Sequence, residues 1–226
     1  MIVLVLILVV VVFAPSLWVR WVMNAYSKDL EGMPGTGGEL AQHLVDRFGL
    51  ESVKVETTAI GDHYDPVDKR VRLSEANFSG RSLTAVAIAA HEVGHAMQDH
   101  QNDPRLVIRT KLVPIADKVA RFSAGAIWAA PIFALVTRHP VPFWVLAACG
   151  LGGLLIRMMV HLVTLPLEWD ASFGKALPVL KAGSYLGSNQ EQVVAKILRA
   201  AAFTYVAAAL ADVLNLTRWA ALLLRR

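Results

Sequence analysis

Cysteine is nearly absent: Cys149 is the single thiol in a chain of 226 residues. One thiol cannot close an intrachain bridge, so the disulfide-scaffold class is excluded and nothing points to an oxidising compartment. Charge is scarce as well, at 18% of residues, and the 22 basic and 18 acidic side chains lie scattered along the chain. The net +4 therefore has no stripe that would follow a phosphate backbone, which argues against a nucleic-acid partner. What fills the chain is apolar: 55% of residues are hydrophobic and the mean hydropathy is +0.48. That balance excludes a disordered chain and is too apolar for an ordinary soluble domain of this size.

The apolar residues are gathered into runs. Met1 to Val19 has no charged residue, about the length a helix needs to cross a bilayer. No basic residue precedes this run and no small-x-small cleavage site follows it, so it reads as an uncleaved anchor kinked at Pro15. Arg20 and Lys28 follow the run, and the positive-inside bias then places residue 20 onward in the cytoplasm. Phe122 to Thr137 and His139 to Ile156 are also uncharged, with Arg138, His139 and two prolines between them as the outer turn of a transmembrane hairpin. A hairpin returns the chain to the face it left, so residues before 115 and after 160 are expected on one side. Ala200 to Leu224 reads equally as a last span or as a surface helix, because Asp212, Asn215 and Arg218 interrupt it. A charge at mid-membrane costs roughly 2.5 to 3.5 kcal/mol on insertion scales. The expected organisation is an anchor over 1–22, a cytoplasmic region over 23–115, a hairpin over 116–164 and a C-terminal segment over 165–226.

Between the first two membrane segments the pattern changes. Glu31 to Gly38, with four glycines and a proline, reads as a linker, and no Lys-Ser/Thr follows Gly35-Thr-Gly-Gly38 to make it a phosphate loop. Thr36-x-x-Glu39 has capping-box spacing, and Leu40, Leu44, Val45 and Phe48 recur at helical period behind it. Ser52 to Thr58 and Arg70 to Leu73 alternate as short strands around the turn-rich Gly61-Asp-His-Tyr-Asp-Pro66; Arg70 to Leu73 reads first as an ordinary sheet strand, with an edge strand for backbone pairing with an extended peptide as the alternative. A helix is expected from Ser82 through Gln98, and another from a second capping box at Ser188-x-x-Glu191.

One motif carries chemistry. In His91-Glu92-Val93-Gly94-His95 the two imidazoles stand at i and i+4, on one face of a helix, where both reach one metal ion; Glu92 flanks them as a holder of water. The flanks, Leu83 to Ala90 and Ala96-Met97, suit burial, and buried ionisable groups cost several kcal/mol unless a partner such as a cation offsets them. Gly94 costs about 0.5 to 1 kcal/mol inside a helix, which signals a close approach by another segment or by substrate. A catalytic zinc takes three protein ligands and an exchangeable water, so a third donor is required. Glu168, in Leu165-Pro-Leu-Glu-Trp-Asp-Ala-Ser172, re-enters on the side expected to hold His91 and His95. Asp170 is either an outer partner that fixes an imidazole tautomer or a solvated charge. His63, Tyr64 and Tyr205 are candidates to stabilise a developing oxyanion.

Three separated motifs in this order, Ala89-Ala-His-Glu-Val-Gly-His-Ala-Met-Gln98, Leu-Pro-Leu-Glu-Trp-Asp-Ala-Ser, and the earlier Gly-Asp-His-Tyr-Asp-Pro followed by Val-Arg-Leu-Ser, resemble the bacterial neutral zinc metallopeptidases over most of the chain. The resemblance implies a mainly α membrane protein, with transmembrane helices and a small α+β zincin-like cytoplasmic metalloprotease region of gluzincin type. It implies a Zn²⁺ ion held by His91, His95 and Glu168, Glu92 as catalytic base, and a protein or peptide substrate at the bacterial inner membrane. The plan is similar to that of the heat-shock and CAAX-prenyl membrane proteases. In those families a supporting aspartate stands four residues after the ligand Glu, whereas Asp170 stands two after Glu168. Two other readings stay open: an intramembrane site-2-type protease, with Asp212 as an alternative ligand, and a catalytically silent zinc-stabilised scaffold closed by a fourth ligand among His43, His63, His100 and His161.

Overall fold

The computed structural model describes the backbone of residues 2–224 and the side chains of residue 10 and residues 13–214. It is mostly helical, with a small mixed sheet. In chain order the elements are α1 (Ile2–Ala25), α2 (Gly37–Arg47), β1 (Lys54–Thr58), β2 (His63–Asp65), β3 (Arg70–Ser74), α3 (Glu75–Phe78), α4 (Leu83–His100), α5 (Pro104–Thr137), α6 (Val141–Trp169), a π-helical segment Asp170–Ala176, α7 (Leu177–Ala182) and α8 (Ser188–Leu224). Two compact units form from them: Met1–Ser16, Ile108–Leu165 and Tyr205–Arg226 make one, and Leu17–Val107 with Pro166–Thr204 the other.

In the first unit, α5 and α6 are joined by a short connection in which Arg138 takes a left-handed φ of 54° and the His139 ring accepts from the Val141 N–H at 3.2 Å. Small residues let these helices approach: a Cβ on Gly150 would fall 2.1 Å from Ile127, and one on Gly153 would fall 1.7 Å from the Ser123 hydroxyl. Such small-residue contacts are how helices pack where the surroundings are as apolar as the side chains. Large apolar side chains, among them Phe122, Ile132, Leu135 and Val136, point outward. Three stretches of helix, Pro104–Thr137, Val141–Ala182 and Ser188–Leu214, are long and apolar enough to cross a bilayer. The chain is therefore a membrane protein. Most side chains of the expected anchor, Met1 to Val19, lie outside the described residues, although its backbone is helical.

The second unit holds the principal core, built from Leu44, Val45, Val71, Leu73, Val86, Val93, Leu167, Leu180, Ile197 and Leu198. The capping box at Thr36 forms, with the Glu39 N–H donating to the Thr36 hydroxyl at 3.2 Å and the Thr36 N–H to the Glu39 carboxylate at 2.7 Å. Ser82 caps α4 by accepting from the Ala85 N–H at 3.1 Å. The start of α4 is tied to the end of α1, where the Thr84 hydroxyl donates to the Met23 carbonyl at 3.0 Å.

Two expectations need correction, and the edge-strand alternative falls away. Gly61 to Pro66 is not all turn, because His63–Asp65 forms β2, antiparallel to β3 in the register His63↔Arg72. Strand order is β1-β3-β2, with β1 parallel to β3, so Arg70 to Leu73 is the central strand and its backbone is paired on both sides. Its alternation is real, since Val71 and Leu73 are fully buried, and Arg72 on the other face pairs with Glu56 at 2.8 Å, Asp65 at 2.5 Å and Asp68 at 2.7 Å. At the start of α8 the cap is displaced by one residue: Gln190, not Glu191, reaches back, accepting from the Gly187 N–H at 3.0 Å.

Candidate metal centre

Helix α4 presents His91, Glu92, His95 and Gln98 to the interior, and Glu168 arrives from the last turn of α6. All are buried; His95 and Glu168 are each only 1% exposed. The Glu168 Oε2 lies 3.3 Å from the Nε2 of His91 and 3.3 Å from the Nε2 of His95. One ligand atom from each of the three residues lies within 4.8 Å of the others, and among the described residues they form the one such group of three or more. Glu92, 7% exposed, has no hydrogen-bond or ion-pair partner among the described residues.

The approach of the third residue depends on local backbone. After Trp169 the helix widens into the π-helical Asp170–Ala176, a feature often found at functional sites. This segment packs directly on α4 at Gly94, where an added Cβ would fall 2.7 Å from the Ala171 carbonyl oxygen. The close approach expected at Gly94 is thus made by the chain itself. Gly174 leaves a matching space for the Asp170 carboxylate, which a Cβ there would meet at 2.3 Å.

Two fully buried polar residues missing from the sequence-based site touch the imidazoles. Ser172 Oγ lies 3.1 Å from His91 Nδ1, and it stands four residues after Glu168, at the spacing of the supporting aspartate in the similar families. Gln98 Oε1 lies 2.8 Å from His95 Nδ1, while its Nε2 donates to the Leu167 carbonyl at 3.0 Å and to Asp170 at 2.8 Å. Asp170 thus meets the Gln98 amide that touches His95, and it also faces Arg105 at 3.5 Å and Lys175 at 3.9 Å.

The oxyanion candidates are engaged elsewhere. Tyr64 donates to Asp99 at 2.5 Å, and burial together with that carboxylate pushes its phenol above the ordinary tyrosine value. His63 contacts the Gly61 carbonyl at 2.8 Å, and the Tyr205 hydroxyl accepts from Arg109 at 3.1 Å. Of the possible fourth ligands, His43 bonds to the Tyr185 hydroxyl at 2.7 Å and His161 faces Asp212 at 3.7 Å. Asp212 itself pairs with Arg157 at 3.4 Å.

With this geometry in place, comparison with known proteins is informative. Residues 1–224 match the model of the family described as "Putative neutral zinc metallopeptidase". The chain belongs to that family. It is also 37% identical over 212 residues to the "Putative membrane protease YugP" of Bacillus subtilis (strain 168), covering 90% of this chain and 89% of that protein. No solved structure matches the chain.

For a member of a zinc metallopeptidase family the fit of the residues to zinc can be tested on their positions. Ligand bonds of about 2.0 to 2.1 Å at tetrahedral angles put donor atoms about 3.3 to 3.4 Å apart. The two measured Nε2 to Oε2 separations are 3.3 Å. Two imidazoles and a carboxylate are also the donor set of a catalytic zinc site. The residues fit the ion.

Proposed function

We propose that the protein is a membrane-bound zinc-dependent endopeptidase whose ion is held by His91, His95 and Glu168, with Glu92 as general base. The supporting observation is the convergence of those three ligand atoms within 4.8 Å on buried helix. Zinc, when bound there, supplies Lewis acidity toward a peptide carbonyl and a water. Glu92 then takes the proton of the attacking water on one of its carboxylate oxygens and returns it to the leaving amine. The burial of Glu92 and of all three ligands restricts bulk water around these groups, which strengthens each electrostatic interaction among them. In this reading the zincin-like region faces the cytoplasmic side of a bacterial inner membrane, as the placement of Arg20 and Lys28 after the first apolar run suggests.

Two features favour this reading over its competitors. An intramembrane protease carries its His-Glu-x-x-His within a span, whereas α4 has 18 residues and is not among the three apolar helices of spanning length. A silent scaffold needs a fourth protein donor, whereas the group among the described residues has three. The test is elemental analysis beside peptide hydrolysis for the wild type, Glu168→Ala and Glu92→Gln. The expected result is zinc lost in the first variant, and zinc retained with turnover lowered about 10²- to 10⁴-fold in the second. Full activity in Glu92→Gln would remove the mechanism.

A further inference from the structure

Gln98 is completely buried, and the direction of its amide is determined by its surroundings. One end faces two acceptors, the Leu167 carbonyl at 3.0 Å and the Asp170 carboxylate at 2.8 Å, so that end is the NH₂ group. The other end is then the oxygen, and it meets His95 Nδ1 at 2.8 Å. An amide oxygen only accepts, so Nδ1 carries a proton, and in a ring with one proton the lone pair is left on Nε2. That is the nitrogen 3.3 Å from Glu168. The partner of His91 has no such direction: the Ser172 hydroxyl both donates and accepts, and it is compatible with either tautomer.

We propose that Gln98 is a positioning residue that holds His95 in the Nδ1–H tautomer, with Asp170 and the Leu167 carbonyl setting the direction of its amide. This rests on the reading of His95 as a metal ligand, because the tautomer matters to function only if Nε2 must offer a lone pair. Asp170 is thereby given a role one step behind the ring. Gly174 belongs to the same arrangement, since a side chain there would displace the Asp170 carboxylate.

The test uses the full-length protein in detergent, free of metal, with ¹⁵N-labelled histidine, at a pH raised until the nitrogen shifts themselves show one proton per ring. Nitrogen spectra should show His95 of the wild type protonated at Nδ1. In Gln98→Met the ring should distribute between tautomers, and zinc affinity, measured against a chromophoric chelator, should fall about 10- to 100-fold, as is usual for removal of an outer partner. Gln98→Glu alone places two carboxylates together and should also weaken zinc binding. Combining it with Asp170→Asn restores a donor between them, and should return affinity to within several-fold of wild type; a merely space-filling role would predict no such rescue. Asp170→Asn alone, at a partly exposed position, keeps the test open if the buried variants fail to fold, and should show a mixed tautomer. A wild-type His95 protonated at Nε2, or unchanged tautomer and affinity in Gln98→Met, would overturn the proposal. A wild type that binds no zinc but keeps the Nδ1–H tautomer would instead count against the peptidase reading, so the two failures are distinguishable.

Discussion

Each compact unit gathers a group of ionisable side chains, and the two groups differ in composition. In the unit that contains α4, the group is His91, His95 and Glu168: two imidazoles and a carboxylate, all buried, whose ligand atoms converge. In the other unit, Asp212 on α8 faces Arg157 at 3.4 Å and His161 at 3.7 Å, both on α6. The second group carries its own cation, since an arginine is always protonated. The first group has no arginine or lysine among its three members, and their ligand atoms converge within 4.8 Å. Burial alone therefore does not single out a candidate metal centre; convergence of ligand atoms does.

Glu168→Ala should break the first group most severely. Zinc affinity should drop well beyond the 10- to 100-fold typical of an outer partner, as measured by chelator competition. Glu92→Gln should leave zinc stoichiometry unchanged while peptide turnover falls about 10²- to 10⁴-fold, separating the acceptors that bind from the one that moves a proton. Asp212→Ala should leave zinc in place and cost stability instead, because it leaves an arginine without its counter-charge. Removing one partner of a fully buried pair costs about 3 to 5 kcal/mol. Here the effect should be smaller, since the Arg157 side chain is 41% exposed and can turn outward; unfolding in mixed micelles would measure it, and loss of zinc would instead make Asp212 a ligand.

The smallest effect is expected from the exposed ion pairs of the sheet. The Arg72 guanidinium holds Glu56 below the usual carboxylate range, with Arg70 adding to it. Burial opposes ionisation of Asp65, yet the N–H groups of Asp68 and Val67 and the Arg72 guanidinium outweigh it and lower its pKa as well. Groups depressed in the folded state contribute stability that is fully present above the unfolded carboxylate value near 4, and lost as pH falls through their lowered folded values. Acid unfolding should therefore show a shallow loss below about pH 4 that Arg72→Met and high salt each reduce, with the share due to Arg70 and to the Asp68 and Val67 N–H groups remaining in the variant.

Much of the centre could be read from the chain because its strongest element is local. His91 and His95 are related by helical period alone, and Glu168 was reached from the expectation that a hairpin returns the chain to the face it left. Gln98 could not be found this way: beside a ligand it looks like any polar helix residue, and its partners stand 69 and 72 residues away. Ser172 was hidden for a similar reason, although its place four residues after Glu168 was a usable signal. The strand β2 escaped because three residues inside a turn-rich stretch carry no period of their own; its evidence is the cross-strand link from Asp65 to Arg72. Arg157 and Asp212 were legible separately as an inner-end cation and an interruption, but their pairing depends on how two helices meet.

The π-helical stretch after Trp169 adds a constraint that composition does not express. An α-helix turns about 100° per residue. A π-helix holds more residues per turn, so removing a single residue from Asp170–Ala176 would let that stretch rewind to ordinary pitch with the helix beyond it nearly in phase. What would be lost is the wide turn itself: Ser172 and the Ala171 carbonyl, which now meet His91 and Gly94, would be carried to new positions around the axis.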